Sequence, residues 1–182
     1  MKNALGMIET MSIPLGILAG DAMMKAAEVT LATSQAACAG KYIVVIEGEV
    51  AAVRSSVEAG KNAAGSALVD SLVIPGIHEQ VAPAIAASSE IGAVDALGVM
   101  ESYSMCAAIM AADAAVKTAA VQLIEVRLGR GLGGKAFVLF TGEVAAVESA
   151  VRAAEALDEL QGMLGASVVI PSPHKKIAEA IF

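Results

Sequence analysis

Short apolar runs separated by longer amphipathic segments set the outline of this chain. Leu5 to Glu9 is one such run and predicts a strand. Ser12 then offers an N-cap, with Pro14 near the first turn, and helical periodicity carries on to Ala27. Val29 to Thr33 predicts a second strand. The β-rich run from Lys41 to Glu47 predicts a third, and Ser34 to Gly40 between them is short enough for a hairpin turn. Glu49 opens a second helix with an acidic first turn, continuing to about Ala64. Val69 to Ile74 reads as a fourth strand ended by Pro75-Gly76, and a short helix follows to about Ala87. The order β-α-β-β-α-β-α predicts an α/β fold of the α+β sandwich kind, with helices against a mainly antiparallel four-stranded sheet.

The same pattern then repeats. Leu5-Gly6-Met7-Ile8-Glu9 returns as Leu97-Gly98-Val99-Met100-Glu101, and Asp21-Ala22-Met23-Met24-Lys25 as Asp113-Ala114-Ala115-Val116-Lys117, both 92 positions later. Gly48-Glu49-Val50-Ala51-Ala52-Val53 recurs unchanged from Gly142 at an offset of 94. Val73-Ile74-Pro75-Gly76-Ile77-His78 returns as Val169-Ile170-Pro171-Ser172-Pro173-His174 at 96. Two small insertions therefore separate the copies, one before Gly134 and one before Ser167, as expected of loops. The repeat predicts two tandem domains, residues 1–90 and 91–182, with Ser88 to Asp95 as the linker.

Composition sharpens this picture. Of 182 residues, 57% are hydrophobic, which is high for domains of this size. The longest stretch without a charged side chain, Leu160 to His174, contains two glycines and two prolines and cannot form a spanning helix. Met1 to Ala4 leads directly into the first strand, which leaves no place for a signal peptide. The expectation is a cytoplasmic protein, not a membrane protein, that hides apolar surface in an assembly. The net charge of −7 is spread over both halves with no basic patch, which argues against nucleic acid as a partner.

The ordered motifs, present twice, resemble the bacterial microcompartment shell domain. Two fused copies without circular permutation are similar to the tandem-domain trimeric type, including the T-type members of propanediol-utilization shells. The resemblance implies a homotrimeric pseudo-hexamer that tiles with other shell proteins in the lattice of a microcompartment shell, and a structural role, not an enzyme. It places the hairpin loops at a central pore, lined by Ala37, Ala39 and Gly40 from the first copy and by Gly131, Leu132 and Gly133 from the second. It also implies a [4Fe-4S] cluster on the threefold axis, held by one Cys38 from each chain, passing electrons across the shell to encapsulated redox enzymes. A plain metabolite pore shaped by Cys38 is the alternative. Lys25 and Lys117 become tile-edge residues. Where the family often carries Arg after Ile-Pro, this chain has Gly76 and Ser172.

Other features read as structural. Cys106 fits a small buried hydrophobe. Gly129 to Lys135 matches Gly-x4-Gly-Lys, but Ala136 follows where a phosphate loop needs Ser or Thr, and a strand follows where it needs a helix. Matched His78 and His174 suit caps of the last short helix in each copy, and Glu9 and Glu101 suit structural hydrogen bonds. Nothing repeated or clustered suggests a catalytic set.

Overall fold

The computed structural model describes residues 4–181; residues 1–3, where the reading of no signal peptide falls, and residue 182 lie outside the described residues. Packing divides the chain into two units. One runs to Ile77 and includes Gly129–Gly134; the other comprises His78–Leu128 and the chain from Lys135 onward.

The first unit contains β1 (Ala4–Thr10), α1 (Ile13–Ala26), β2 (Thr30–Ala37), β3 (Lys41–Gly48), α2 (Val50–Ala64) and β4 (Leu68–Pro75). Its sheet has the order β2-β3-β1-β4, with every pair antiparallel. β1 is central and buried along its whole length, so its apolar run does not alternate. Both helices bury one stripe against the sheet. On α1 the stripe is Gly16, Ala19, Gly20 and Met23; on α2 it is Val53, Ser56, Val57, Gly60 and Ala64. These are i, i+3, i+4, i+7 spacings, the signature of a half-buried helix. With Ile8, Val44 and Ile46 they form one core, where each large apolar side chain contributes about 1.5–3 kcal/mol. The Ser12 hydroxyl caps α1 by accepting from the Leu15 amide at 3.4 Å, and Pro14 sits in the first turn.

The hairpin differs from the sequence expectation. β2 continues through Ala37, so the turn shrinks from seven residues to Cys38–Gly40. Ser34, Gln35, Ala36 and Ala37 find partners in Val44, Ile43, Tyr42 and Lys41, and the Ser34 hydroxyl meets the Tyr42 hydroxyl at 2.9 Å. Weak strand formers are carried into the ladder by a long, strongly β-prone partner strand, a context effect that propensity does not capture.

The second unit repeats the plan with β5 (Ala96–Ser102), α4 (Met105–Thr118), β6 (Gln122–Leu128), β7 (Ala136–Gly142), α5 (Val144–Glu155) and β8 (Leu164–Ile170), in the order β6-β7-β5-β8. It also gathers two short helices. α3 (Val81–Ile85), from the end of the first repeat, packs on β6 and α4; α6 (Lys175–Ala180) closes the second repeat. Ile91, Val94 and Ile181 cover the Leu97, Ile124 and Leu139 cluster. Among the described residues no helix is long and apolar enough to cross a membrane.

The repeated Leu-Gly step of the central strands has a steric cause. A Cβ on Gly6 would stand 2.6 Å from Val57 Cγ2 and 2.7 Å from Val53 Cγ1, and one on Gly98 would collide with the Phe140 ring. Only a hydrogen at this position lets these large side chains pack over the central strand. Gly98→Ala should therefore lower stability by about 1–3 kcal/mol through overpacking. Chemical unfolding of Gly98→Ala, Phe140→Leu and the double variant checks this. The two losses should combine less than additively, because the smaller side chain makes room for the added methyl.

Candidate functional site

Cys38 sits at the tip of the β2–β3 hairpin. The turn it opens runs through Ala39 at φ 62° and ψ 30°, a left-handed conformation that a residue with a Cβ adopts at a cost of about 1–2 kcal/mol. Cys38 is half-buried, and neither cysteine forms a disulfide.

The segment that folds against this tip is Gly129–Gly134, the loop of the second repeat. The Cys38 amide donates to the Gly129 carbonyl at 2.7 Å, and the Gly131 amide donates to Cys38 Sγ at 2.8 Å. The Arg130 guanidinium donates to Gln35 Oε1 and ties the loop to β2. Positive φ at Gly129, Gly131, Gly133 and Gly134 turns successive amides inward, as in the concave amide nests that bind anions. The Leu132 amide is the strongest influence on the thiol, joined by Gly133, Gly131 and Gly134. Together they hold the Cys38 pKa below the ordinary cysteine value, against a partial desolvation that raises it. The sequence pattern resembles a phosphate loop, but the anion it suits is this chain's own thiolate. Lys135 instead turns to Glu101 at 3.1 Å and lies over the Tyr103 ring, and β7 follows directly.

Of the six residues expected at a pore, Ala37 ends β2 half-buried, Ala39 and Gly40 are exposed at the hairpin tip, and Gly131 and Gly133 are exposed with Leu132 half-buried. The two loops meet around Cys38. By sequence they are equivalent linings, whereas in the fold one cradles the other. Among the described residues no three His, Cys, Asp or Glu side chains are grouped to hold a metal ion.

The remaining residues fall elsewhere. Lys25 reaches Asp21 at 2.6 Å on α1, and Lys117 reaches Asp113 at 2.5 Å on α4, so the repeated Asp-x3-Lys is an i, i+4 ion pair. Cys106 is buried within α4. His174 Nδ1 caps α6 by accepting from the Lys176 amide, and His78 Nδ1 accepts from the Gln80 amide, each at 3.3 Å. Glu9 is buried and paired with Lys41 at 2.5 Å, across the two central strands.

Comparison with known proteins agrees with this architecture. The BMC domain model matches twice, over residues 4–77 and 96–173. The bacterial microcompartment shell protein PduT of Citrobacter freundii is 41% identical over 177 residues, covering 97% of this chain and 96% of that protein. The carboxysome shell protein CcmK2 of Synechococcus elongatus is 39% identical over 85 residues, 44% of this chain and 83% of that protein. A crystal structure of a microcompartment protein from Desulfitobacterium hafniense superposes with a TM-score of 0.93 at 47% identity, covering 98% of this chain and 99% of that one. With both repeats matched and near-complete coverage by a tandem relative, the chain belongs to the BMC-domain family as a shell protein of a bacterial microcompartment.

Proposed function

We propose that the chain forms a homotrimeric facet tile whose centre carries a [4Fe-4S] cluster bound by Cys38 from three copies. The observation that carries this reading is the Cys38 thiol itself. It is accessible at a hairpin tip and biased toward thiolate by the amides of residues 131–134, and no metal-binding group of side chains surrounds it among the described residues. Such a donor set fits a site that takes one thiolate per chain and is completed by symmetry. Three chains leave the fourth cluster position to a ligand other than cysteine.

When bound, the cluster supplies one-electron transfer. The chain's own contribution is to hold Cys38 Sγ in place and surround it with N–H donors, which stabilise negative charge on a ligating sulfur and thereby tune reduction potential. A tile with this centre would carry electrons through the shell to encapsulated redox enzymes, and its role is structural and electronic, not catalytic. In the same reading the helix-borne Lys25 and Lys117 lie at tile edges, with Asp21 and Asp113 limiting the directions each ammonium takes. The second reading, a metabolite pore lined by residues 37–40 and 131–133, draws on the same exposed loops.

Two outcomes test this. Anaerobically purified protein should contain roughly four iron atoms and acid-labile sulfide per three chains. Cys38→Ser should remove them while leaving the size of the assembly unchanged. Intact trimers without iron would instead leave the pore reading. Separately, Cys38 in the iron-free chain should alkylate with iodoacetamide at an unusually low pH. The amides favour the thiolate, so the rate should hold at pH values where an ordinary thiol is protonated. It should fall only as the pH drops through the lowered pKa. Unfolding in denaturant should move that profile up to the ordinary cysteine range, about 8.5.

A further inference from the structure

The glycines of the loop that cradles Cys38 are not held by packing. A Cβ built on Gly131, Gly133 or Gly134 would meet no atom within 4 Å. All three have positive φ. Glycine supplies that conformation without strain, but it also leaves the backbone the most freedom to lose on ordering. Such a loop keeps its amides on one sulfur only if something else fixes its position.

Two hydrogen bonds to the first hairpin involve Cys38 itself. Its amide donates to the Gly129 carbonyl at 2.7 Å, and its sulfur accepts from the Gly131 amide at 2.8 Å. A further bond is independent of the cysteine. The Arg130 guanidinium donates to Gln35 Oε1, three residues before Cys38 on β2. Arg130 stands between the two glycines that bond Cys38, so holding its side chain restrains both. Gln35 is a firm anchor. It is half-buried, and its backbone is fixed in the ladder opposite fully buried Ile43 on β3.

The comparison of the repeats sets this pair apart. At the offset of 92, Cys38 corresponds to Arg130 and Gln35 to Arg127. Arg127 commits its guanidinium to Glu125 on its own strand, at 2.6 and 2.8 Å. Neither copy alone contains the pair. The corner residue of each hairpin reaches into the other hairpin, so the two loops brace one another.

We propose that Arg130 and Gln35 are positioning residues for Cys38: their bond keeps the glycine amides on the sulfur and so raises the reduction potential of a cluster ligated there. The effect on potential rests on the cluster reading; the holding of the loop does not. N–H donors draw negative charge from a ligating sulfur and favour the reduced state, so a loosened loop lowers the potential. The charge of Arg130 acts in the same direction through space, and the test must separate the two.

The full chain is purified anaerobically as wild type, Gln35→Leu, Arg130→Ala and the double variant. Gln35→Leu removes the acceptor and keeps the arginine charge. Hydrogen exchange of the iron-free chain, read by mass spectrometry on peptides covering residues 36–40 and 129–135, should speed up on the order of tenfold in both single variants. The midpoint potential, from a redox titration followed by electron paramagnetic resonance, should fall in both. The double variant should fall no further than Arg130→Ala, because one bond is lost in each case. If Gln35→Leu keeps wild-type exchange and potential, the proposal is overturned, and a fall in Arg130→Ala alone is then an effect of charge. Faster exchange with an unchanged potential supports the brace and overturns its tuning role. A chain without iron overturns the cluster reading and the tuning role with it, and exchange then decides the brace alone. Should Arg130→Ala fail to fold, Gln35→Leu decides by itself.

Discussion

A domain of roughly 90 residues has too little interior to bury all the apolar surface this chain carries, because the fraction of surface buried on folding is low in small domains and rises only with size. That imbalance shapes the molecule. Each sheet has a central strand enclosed over most or all of its length, closely covered at a glycine that could not be alanine without displacing Val57 of the overlying α2 or Phe140 of the neighbouring β7. Once α2 and α5 have taken that face, the outer sides of α1 and β2 still hold Ile17, Leu18, Met24 and Leu31 in solvent. Isolated exposed apolar side chains need no explanation, but a contiguous set on one helix–strand face marks a surface that meets another. A shell tile is the setting in which such surplus is useful.

Duplication without identity is what lets this chain divide the labour between its two copies. The strands, caps and helix stripes agree because both copies must solve the same packing problem. The hairpins disagree. One ends in a tight turn with Cys38 at its corner; the other is two residues longer and built on glycines whose amides surround that sulfur. Six identical hairpins would present the same side chain six times. Two kinds, in one chain, make a thiol and its cradle from the same repeated loop.

Much of this fold is legible in the amino-acid pattern. The helix stripes follow from period 3.6, the caps from Ser12 and Pro14, and the family from four motifs repeated in order. What is not legible depends on partners distant in the chain. Ser34 to Ala37 has the composition of a loop because small and polar residues are poor strand formers on their own; only β3 opposite them makes the strand. The cradle is hidden because a glycine run signals freedom, not direction, and which amides converge on which atom is set by tertiary approach. The Asp-x3-Lys pairs are legible as repeats, but Asp113 serving two donors is not, since one of them is a backbone amide 35 residues away.

The difference between α1 and α4 ties burial to assembly. The two helices have the same length, the same serine cap and the same Asp–Lys pair, yet α1 keeps Ile17, Leu18 and Met24 where α4 has Ile109, Met110 and Val116. If the outer face of α1 were solvent-exposed in the working protein, nothing would retain three large apolar side chains on it, and each would carry an aggregation cost. On α4 the same positions are covered or nearly so. The bulk kept on the uncovered copy marks that face as one suited to meet another surface. Asp21 follows the same logic. On α1 it is half in solvent beside Lys25, while on α4 its counterpart is nearly buried and shared with a backbone donor. A carboxylate tolerates that burial only when fully hydrogen-bonded.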